Sequence, residues 1–283
     1  MCYNFYIVKT IKEQIMKNSI AIIGVGNMAK SIIAGITAAD IQLSTFYLFD
    51  TNPSAYDSYK SKKGFYFADD IASAVKKADC VLISVKPQNY AEVLSEIKKA
   101  PDYKRKLYIS IGAGITSQSV SQALDEADVI RVLPNLPMTI GMGVSIICKN
   151  EKVSNDDFDL VSTIFKSSGS ITVIDEAEMN AMIGVTSSAP AYVFKFINAI
   201  INGANAQGLD GEALLNVICD MVIGSAAMLK QSQDSPTELI SKVASKGGTT
   251  EQALLKLDEG EFDKTIERAM IACTKRANEL ANK

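Results

Sequence analysis

The first half of the chain alternates short β-branched and aromatic runs with longer segments whose apolar positions recur at helical spacing. This alternation is typical of βαβ units, in which helices cover both faces of a parallel sheet. Eight strands are predicted, at residues 19–23, 46–49, 65–67, 80–85, 107–111, 130–132, 144–148 and 171–174. Five helices are predicted between them, at residues 28–39, 71–78, 89–97, 117–124 and 155–165.

The strand pattern stops near Asp175, and long apolar helices follow. Between residues 191 and 207, polar residues at helical spacing leave a broad apolar surface on the other side. The next helix, up to Lys230, is apolar nearly all round, which is more than a small domain can cover by itself. We therefore expect an obligate homodimer built on these helices.

Composition excludes several classes of protein. The chain has 283 residues, 47% of them hydrophobic, and a net charge of −3 without a long basic run, so nucleic acid is an unexpected partner. Its five cysteines are scattered and never form a CxxC pair, which suggests neither a disulfide framework nor a metal site and fits a reducing cytoplasm. No segment is long and apolar enough for a membrane span. The absence of histidine excludes imidazole ligands and Ser-His-Asp hydrolysis.

A glycine-rich turn follows the first predicted strand. Residues 24–29 read GVGNMA, the G-x-G-x-x-A form of the dinucleotide-binding turn, between a strand and a helix. Gly24 permits a tight turn, Gly26 lets the backbone approach a pyrophosphate, and Ala29 allows close contact between helix and strand. We also assign Asn27 and Met28 to this site.

A carboxylate closes the second predicted strand. Asp50 lies 24 residues after Gly26, where an acidic residue normally binds the ribose 2′-hydroxyl and repels a 2′-phosphate. The neighbouring Thr51 is assigned to the same end of the cofactor. The alternative is that Asp50 only begins the turn at residues 50–53. The first reading predicts a preference for NADH over NADPH.

Several segments together resemble pyrroline-5-carboxylate reductase, in the family's order from about residue 19 to the end. They are 23–29 (IGVGNMA), 85–87 (VKP), 110–116 (SIGAGIT), 131–137 (RVLPNLP), 187–192 (SSAPAY) and 245–250 (SKGGTT). The resemblance implies an N-terminal Rossmann-type, doubly wound α/β domain at 19–175 and an all-α dimerisation and substrate-binding domain at 176–283. Residues 1–18 would be an N-terminal extension, and 1–15 either dispensable or a start-codon artefact.

The resemblance also implies the roles of individual residues. The nicotinamide end of NADH or NADPH would be lined by Val85, Lys86, Pro87, Ala113, Gly114 and Asn135. The imino-acid substrate would be bound by Ser245, Gly247, Gly248, Thr249 and Thr250. The catalytic cleft would form at a dimer interface, and dimers can assemble further into a decamer in this family. No metal is implied.

The 245–250 segment also has a physical rationale. Gly247 and Gly248 are expected to expose backbone N–H groups ahead of a helix, where a substrate carboxylate would bind. The alternative is an ordinary Gly-Gly hinge with a threonine N-cap. Reduction of a protonated imine neutralises an iminium and needs no strong acid, so catalysis can rest on orientation. By resemblance, Thr250 would hydrogen-bond the ring nitrogen or steer its proton.

The chain departs from the family at three places. Leu136 stands where threonine is usual, Lys246 where proline is frequent, and residues 240–241 read Ile-Ser where Lys-Asp is common. Two other functions stay open. A hydroxyacid-type dehydrogenase would need an acid near the nicotinamide, for which Lys86 is the one convincing candidate. A non-catalytic dinucleotide-binding sensor would bind nucleotide without turnover.

Overall fold

One eight-stranded sheet forms the N-terminal part of the chain in a computed structural model that describes residues 18–39, 41 and 43–281. The strands are β1 Ser19–Ile23, β2 Thr45–Phe49, β3 Phe65–Phe67, β4 Cys80–Ile83, β5 Leu107–Ser110, β6 Asp128–Leu133, β7 Gly143–Lys149 and β8 Gly169–Val173. All eight predicted strands are therefore present. Residues 1–17 of the predicted extension at 1–18 lie outside the described residues.

Helices fill the gaps between the strands and form the rest of the chain. They are α1 Asn27–Ala38, α2 Ile71–Lys77, α3 Tyr90–Ile97, α4 Ser117–Ala123, α5 Asn155–Lys166, α6 Glu176–Met182, α7 Ala189–Ala206, α8 Leu215–Gln231, α9 Pro236–Val243, α10 Thr249–Glu259 and α11 Phe262–Ala281. A π-helical turn, Ile183–Ser187, joins α6 to α7. The predicted α/β fold with an all-α C-terminal part is confirmed.

The strand order is β3-β2-β1-β4-β5-β6-β7-β8, and it reverses direction between β1 and β4. In open α/β sheets, ligands bind where the order reverses, at the carboxyl ends of the strands. Pairing is parallel throughout except between β6 and β7, which are antiparallel. This corrects the expectation of a wholly parallel sheet, because the nine residues between these two strands are too few for a crossover connection.

The sheet has a hydrophobic core on each face. Ile20 and Ile22 of β1 belong to one buried cluster, and Ala21 and Ile23 belong to the other. Successive side chains of a strand point to opposite faces, so a strand covered on both sides is apolar at every position. This is why residues 20–23 of β1 are an unbroken apolar run.

The helical part contacts the sheet through only some of its elements. α6, the π-helical turn and α11 pack against the β6–β7 end through a small cluster of buried residues: Leu133, Ile146, Cys148, Met179, Ile183 and Ala277. In contrast, α7 and α8 each contain one buried residue, Ile201 and Ile218 respectively. Many of their apolar side chains are exposed in the single chain. In the described part of the chain, no helix is long and apolar enough to cross a bilayer.

Candidate active site

The glycine-rich turn lies at the carboxyl end of β1, beside the point where the strand order reverses. Gly24 has a φ of +91°, and a Cβ there would lie 2.7 Å from the carbonyl oxygen of Ser84. Only glycine fits this position without strain. At Gly26, by contrast, a Cβ would meet nothing within 4 Å, so the backbone faces open space. Ala29 is fully buried, as the predicted close helix–strand contact requires.

The start of α1 can hold an anion. Gly26 is its N-cap and offers no side-chain cap, and the first backbone hydrogen bond runs from Lys30 N–H to the Gly26 carbonyl, at 3.0 Å. Within the described residues, the N–H groups of Asn27, Met28 and Ala29 therefore have no hydrogen-bond acceptor. Free N–H groups and the helix dipole both favour a phosphate at this place.

Asp50 supports the turn as well as facing the cleft. Its Oδ2 accepts a hydrogen bond from Val25 N–H at 2.7 Å, and its Oδ1 accepts one from Asn52 N–H at 2.8 Å. The second bond belongs to the turn that the alternative interpretation predicted. Two carboxylate oxygens offer about four acceptor positions, so Asp50 can still accept from a ribose hydroxyl.

A cleft of about 650 Å³ opens between the glycine-rich turn and the ends of β2 and β4. This volume is in the range of small-molecule and cofactor sites. Six predicted cofactor residues line it: Gly24, Gly26, Asp50, Thr51, Val85 and Lys86. We call this cavity the nucleotide cleft.

Sequence reasoning missed the rest of the lining. These residues come from the ends of β1, β2 and β4, from the start of α2, and from α3 with the 3-10 turn before it: Ile23, Phe49, Asp70, Ile71, Ser84, Gln88, Asn89, Glu92, Val93 and Glu96. Glu92, Val93 and Glu96 follow helical spacing on one side of α3, which was a usable signal. Four of the lining side chains are carboxylates and one, Lys86, is basic.

The other nicotinamide-end residues lie outside that lining. Pro87 opens a 3-10 turn directly after Lys86, and Ala113 is exposed while Gly114 is buried with a φ of +78°. The segments that hold them follow β4 and β5, which pair in register from Cys80 with Leu107 to Ile83 with Ser110. Residues 85–87 and 112–114 are therefore neighbours at one edge of the sheet.

Asn135 also has a structural role that the sequence did not indicate. Its Oδ1 accepts a hydrogen bond from Val144 N–H at 2.8 Å, and its Nδ2 donates to the Thr186 carbonyl at 3.2 Å. The residue is only 7% exposed. It ties the β6–β7 connection to the π-helical turn, and one N–H of its amide is left for a ligand. The neighbouring Leu136 is 49% exposed, so an apolar side chain faces solvent beside Asn135.

A cluster of charged and polar side chains around the buried Arg131 of β6 was not predicted. Arg131 is fully buried, and its guanidinium donates to Glu176 Oε1 at 3.2 Å and to Asn180 Oδ1 at 2.6 Å. Glu176 also accepts from the backbone N–H of Ser117 at 2.6 Å and from that serine's hydroxyl. The cluster joins β6 and α4 to α6. An arginine inside an apolar strand was the signal for it.

The 245–250 segment, which we call the Gly-Gly loop, leads into α10 with Gly248 as the N-cap. The expected donors are occupied: Gly247 N–H donates to Glu251 Oε2 at 2.8 Å, and Gly248 N–H donates to the Ser245 carbonyl at 2.9 Å. This corrects the prediction that these two N–H groups are exposed. At the start of α10, the first backbone hydrogen bond runs from Gln252 N–H to the Gly248 carbonyl, so within the described residues the N–H groups of Thr249, Thr250 and Glu251 have no acceptor.

The hydroxyls of the loop remain available. Among the described residues, Ser245, Thr249 and Thr250 make no side-chain hydrogen bond, and Lys246 is exposed. The alternative of a threonine N-cap is not what forms, because the cap is Gly248. None of these residues lines the nucleotide cleft. A single chain therefore does not bring the loop and this cleft into one cavity. In the described residues no cluster of three or more His, Cys, Asp or Glu is arranged to hold a metal ion.

Comparison with known proteins matches both parts of the chain. Residues 176–280 match the family described as pyrroline-5-carboxylate reductase dimerisation, and residues 19–114 match NADP oxidoreductase coenzyme F420-dependent. The pyrroline-5-carboxylate reductase of Escherichia coli is 31% identical over 268 residues, 94% of this chain and 99% of that protein. That of Aquifex aeolicus is 34% identical, over 79% of this chain and 82% of the relative. The crystal structure of the Plasmodium falciparum pyrroline carboxylate reductase with NADP bound has a TM-score of 0.84, at 27% identity, and covers 94% of this chain and 99% of that one.

Proposed function

Because this chain belongs to the pyrroline-5-carboxylate reductase family, it is an NAD(P)-dependent oxidoreductase that reduces the C=N bond of 1-pyrroline-5-carboxylate to L-proline, and we propose how its residues share this task. The observation that carries the proposal is the agreement over both domains, 94% of the chain at 31% identity. Residues 19–175 would bind the dinucleotide. Residues 176–283 would bind the substrate and form the dimer.

The cofactor is assigned to the glycine-rich turn and the neighbouring strand ends. The free N–H groups of Asn27, Met28 and Ala29, with Gly24 and Gly26 before them, hold the pyrophosphate. Asp50 and Thr51 bind the adenosine ribose. Val85, Lys86, Pro87, Ala113, Gly114 and Asn135 hold the nicotinamide end. When bound, the nicotinamide supplies the hydride.

The substrate is assigned to the Gly-Gly loop of the partner chain. The free N–H groups in the first turn of α10 attract the substrate carboxylate, with the hydroxyls of Ser245 and Thr249 as further donors. Gly247 and Gly248 shape the loop, since their own N–H groups are used within it. Thr250 hydrogen-bonds the ring nitrogen or steers its proton. Reduction of an iminium develops no negative charge, so a chain without histidine can catalyse it by orientation.

We propose that NADH is preferred over NADPH. The support is the charge of the nucleotide cleft, where Asp50, Asp70, Glu92 and Glu96 face one cation, Lys86. A 2′-phosphate would add about two negative charges to this environment. Against it stands the NADP bound to the Plasmodium relative. Comparing kcat/KM for NADH and NADPH on the wild-type enzyme decides between them, and a clear NADPH preference refutes the proposal.

We propose the homodimer as the catalytic unit, in a reducing cytoplasm. Cys148, Cys219 and Cys273 are free thiols, which fits that compartment. Further assembly of five dimers into the family's decamer is distinguished from the dimer by its mass in sedimentation. Fractionation of the source cells checks the location.

The deciding experiment is an assay of NADH and NADPH oxidation with 1-pyrroline-5-carboxylate as the acceptor. Imine-dependent oxidation that yields proline is the expected result. Oxidation with a 2-oxo acid and none with the imine would point to a hydroxyacid-type dehydrogenase. Cofactor binding without turnover of either acceptor would indicate a sensor.

A further inference from the structure

A buried tyrosine at the base of the cofactor site has no role in the assignments above. Tyr90 is the first residue of α3 and is almost completely buried. Its hydroxyl donates to the Ile83 carbonyl at 3.1 Å, accepts from Gly112 N–H at 2.9 Å and lies 3.0 Å from Ser110 Oγ. With the Ser110 hydroxyl as donor, all three bonding positions of the phenol are filled.

The groups that Tyr90 contacts belong to two strand ends. Ile83 is the last residue of β4, which leads to residues 85–87, and Ser110 is the last residue of β5, which leads to residues 112–114. The main chain of Tyr90 is tied to the first segment too, since its N–H donates to the Pro87 carbonyl. One residue therefore connects both segments assigned to the nicotinamide end.

The contact with the second segment is tight. A Cβ at Gly112 would lie 2.7 Å from the Tyr90 ring, so the backbone of Gly112 rests directly on that ring. Burial raises the pKa of Tyr90 to about 12, and the phenol therefore stays neutral over the working pH range. A neutral, fully hydrogen-bonded phenol below the surface suits a fixed support better than a proton donor.

We propose that Tyr90 is a positioning residue for the cofactor: through Gly112, Ser110 and Ile83 it fixes the spacing between segments 85–87 and 112–114. This inference rests on the proposed function, which assigns those segments to the nicotinamide end. The hydroxyl acts through the backbone and touches neither cofactor nor substrate.

The test is Tyr90→Phe, which removes the hydroxyl and keeps the ring. The dissociation constant of NADH is measured by direct titration without imine, where NADH fluorescence is observed without tryptophan emission because the chain has none. We expect that constant and the KM for NADH to rise about fivefold, the size of one lost hydrogen bond. The KM for the imine should not change, and kcat should stay within about twofold.

Tyr108→Phe is the matched control. Tyr108 is also buried in this sheet, and its hydroxyl donates to the Tyr103 carbonyl at 2.8 Å, away from the cofactor segments. The Tyr108→Phe variant should have a lower melting temperature than wild type, as Tyr90→Phe should, but the same affinity for NADH. Ser110→Ala removes one partner of the Tyr90 phenol and should weaken NADH binding about twofold.

Equal NADH affinity in wild type and Tyr90→Phe would overturn the proposal, as would an equal loss of affinity in Tyr108→Phe. If Tyr90→Phe does not fold, Ser110→Ala decides in its place, and unchanged NADH affinity there overturns the proposal. A wild-type protein that binds NADH and reduces no imine would refute the proposed function alone, because the titration still measures the effect of Tyr90.

Discussion

The sheet region and the helices that extend from it differ in how far the single chain buries their apolar residues. In β1, β4 and β5 every residue is buried within the chain's own fold. In α7 and α8, 18 and 17 residues long, one residue each is buried, and α9 and α10 have none. Apolar residues thus form a core that the chain itself covers in the sheet region, whereas in these helices they form a surface that the single chain leaves exposed.

This difference indicates that the nucleotide cleft forms within one chain, whereas the surroundings of the Gly-Gly loop are formed only with a second copy. The sheet region can form its nucleotide cleft alone, since every residue lining it comes from positions 23–96. The Gly-Gly loop is borne by helices that lack a covering layer, and it does not line that cleft. A match to a dimerisation family over residues 176–280 indicates that a second copy supplies the cover.

The largest expected effect comes from placing a charge on the uncovered face of α8. Val217 is 62% exposed in the single chain, and Val217→Asp would bury two unpaired carboxylates in a symmetric dimer. We expect the dimer to dissociate about 1000-fold more readily, equivalent to about 4 kcal/mol. Light scattering over a range of concentrations measures this, and activity should fall with the dimer.

The matched control is Val173→Asp at the end of β8, the same substitution at a valine of similar exposure, 56%. It should leave the dimer intact, because β8 belongs to the self-contained region. A Val217→Asp protein that stays dimeric and active would contradict the assignment of α8 to the interface.

The junction between the two regions should be the next most sensitive site. Glu176→Ala leaves the guanidinium of Arg131 buried beside Asn180, without a counter-charge. Breaking a buried pair from one side costs about 3 kcal/mol, so the melting temperature should fall clearly at fixed protein concentration. Glu176→Gln should cost less, since an amide oxygen can still accept from Arg131 or Ser117.

Glu259→Ala provides the comparison for that junction. It removes a similar ion pair with Lys256 on the exposed surface of α10, and such pairs contribute about 0–1 kcal/mol. Its melting temperature should hardly differ from that of wild type. Equal losses in the two variants would mean that the junction carries no special stability.

Substitution of Thr250 separates the contributions of the two regions to catalysis. Thr250→Ala should lower kcat/KM for the imine about 100-fold, the usual scale for one proton-transfer group, while the NADH dissociation constant stays unchanged. Thr250→Ser, which retains the hydroxyl, should restore most of the activity. Turnover equal to wild type in Thr250→Ala would remove the catalytic role from this residue.

Local patterns were sufficient to predict most of the sheet region. A continuous apolar run predicts a strand such as β1, and the spacing of Gly24 and Gly26 predicts the turn after it. The direction of β7 was not evident, because an apolar run carries no information on pairing, although the short connection at 134–142 was an unused signal.

The rest depended on contacts between distant residues. Asn135 bonds to Thr186, 51 positions away, and Arg131 to Glu176, 45 positions away, and no local pattern specifies such partners. The Gly-Gly loop was recognised by its residues, yet its donors were misassigned because Glu251 folds back onto Gly247. The apolar pattern of the helices predicted a surface that binds a second chain, but it did not indicate where that surface lies relative to the nucleotide cleft.

The smallest effect, and the finest test of the comparison, concerns Asp50. Asp50→Asn removes one charge at the nucleotide cleft and keeps an oxygen that can accept from Val25 N–H, so the turn itself should persist. The ratio of kcat/KM for NADH to that for NADPH should fall about tenfold, equivalent to about 1.4 kcal/mol of relieved repulsion. The KM for the imine should not move, because the proposed substrate site lies in the other region.

Asp57→Asn tests whether net charge alone explains any change at Asp50. Asp57 lies on the segment that follows the same turn, pairs with Lys60 and is well exposed, so its charge is screened by solvent. Its cofactor ratio should equal that of wild type. If both substitutions shift the ratio alike, the discrimination is a property of the whole surface; if neither does, Asp50 serves the backbone of the turn only. A tenfold shift confined to Asp50→Asn would show that one carboxylate both shapes the turn and reads the ribose, entirely within the self-contained region.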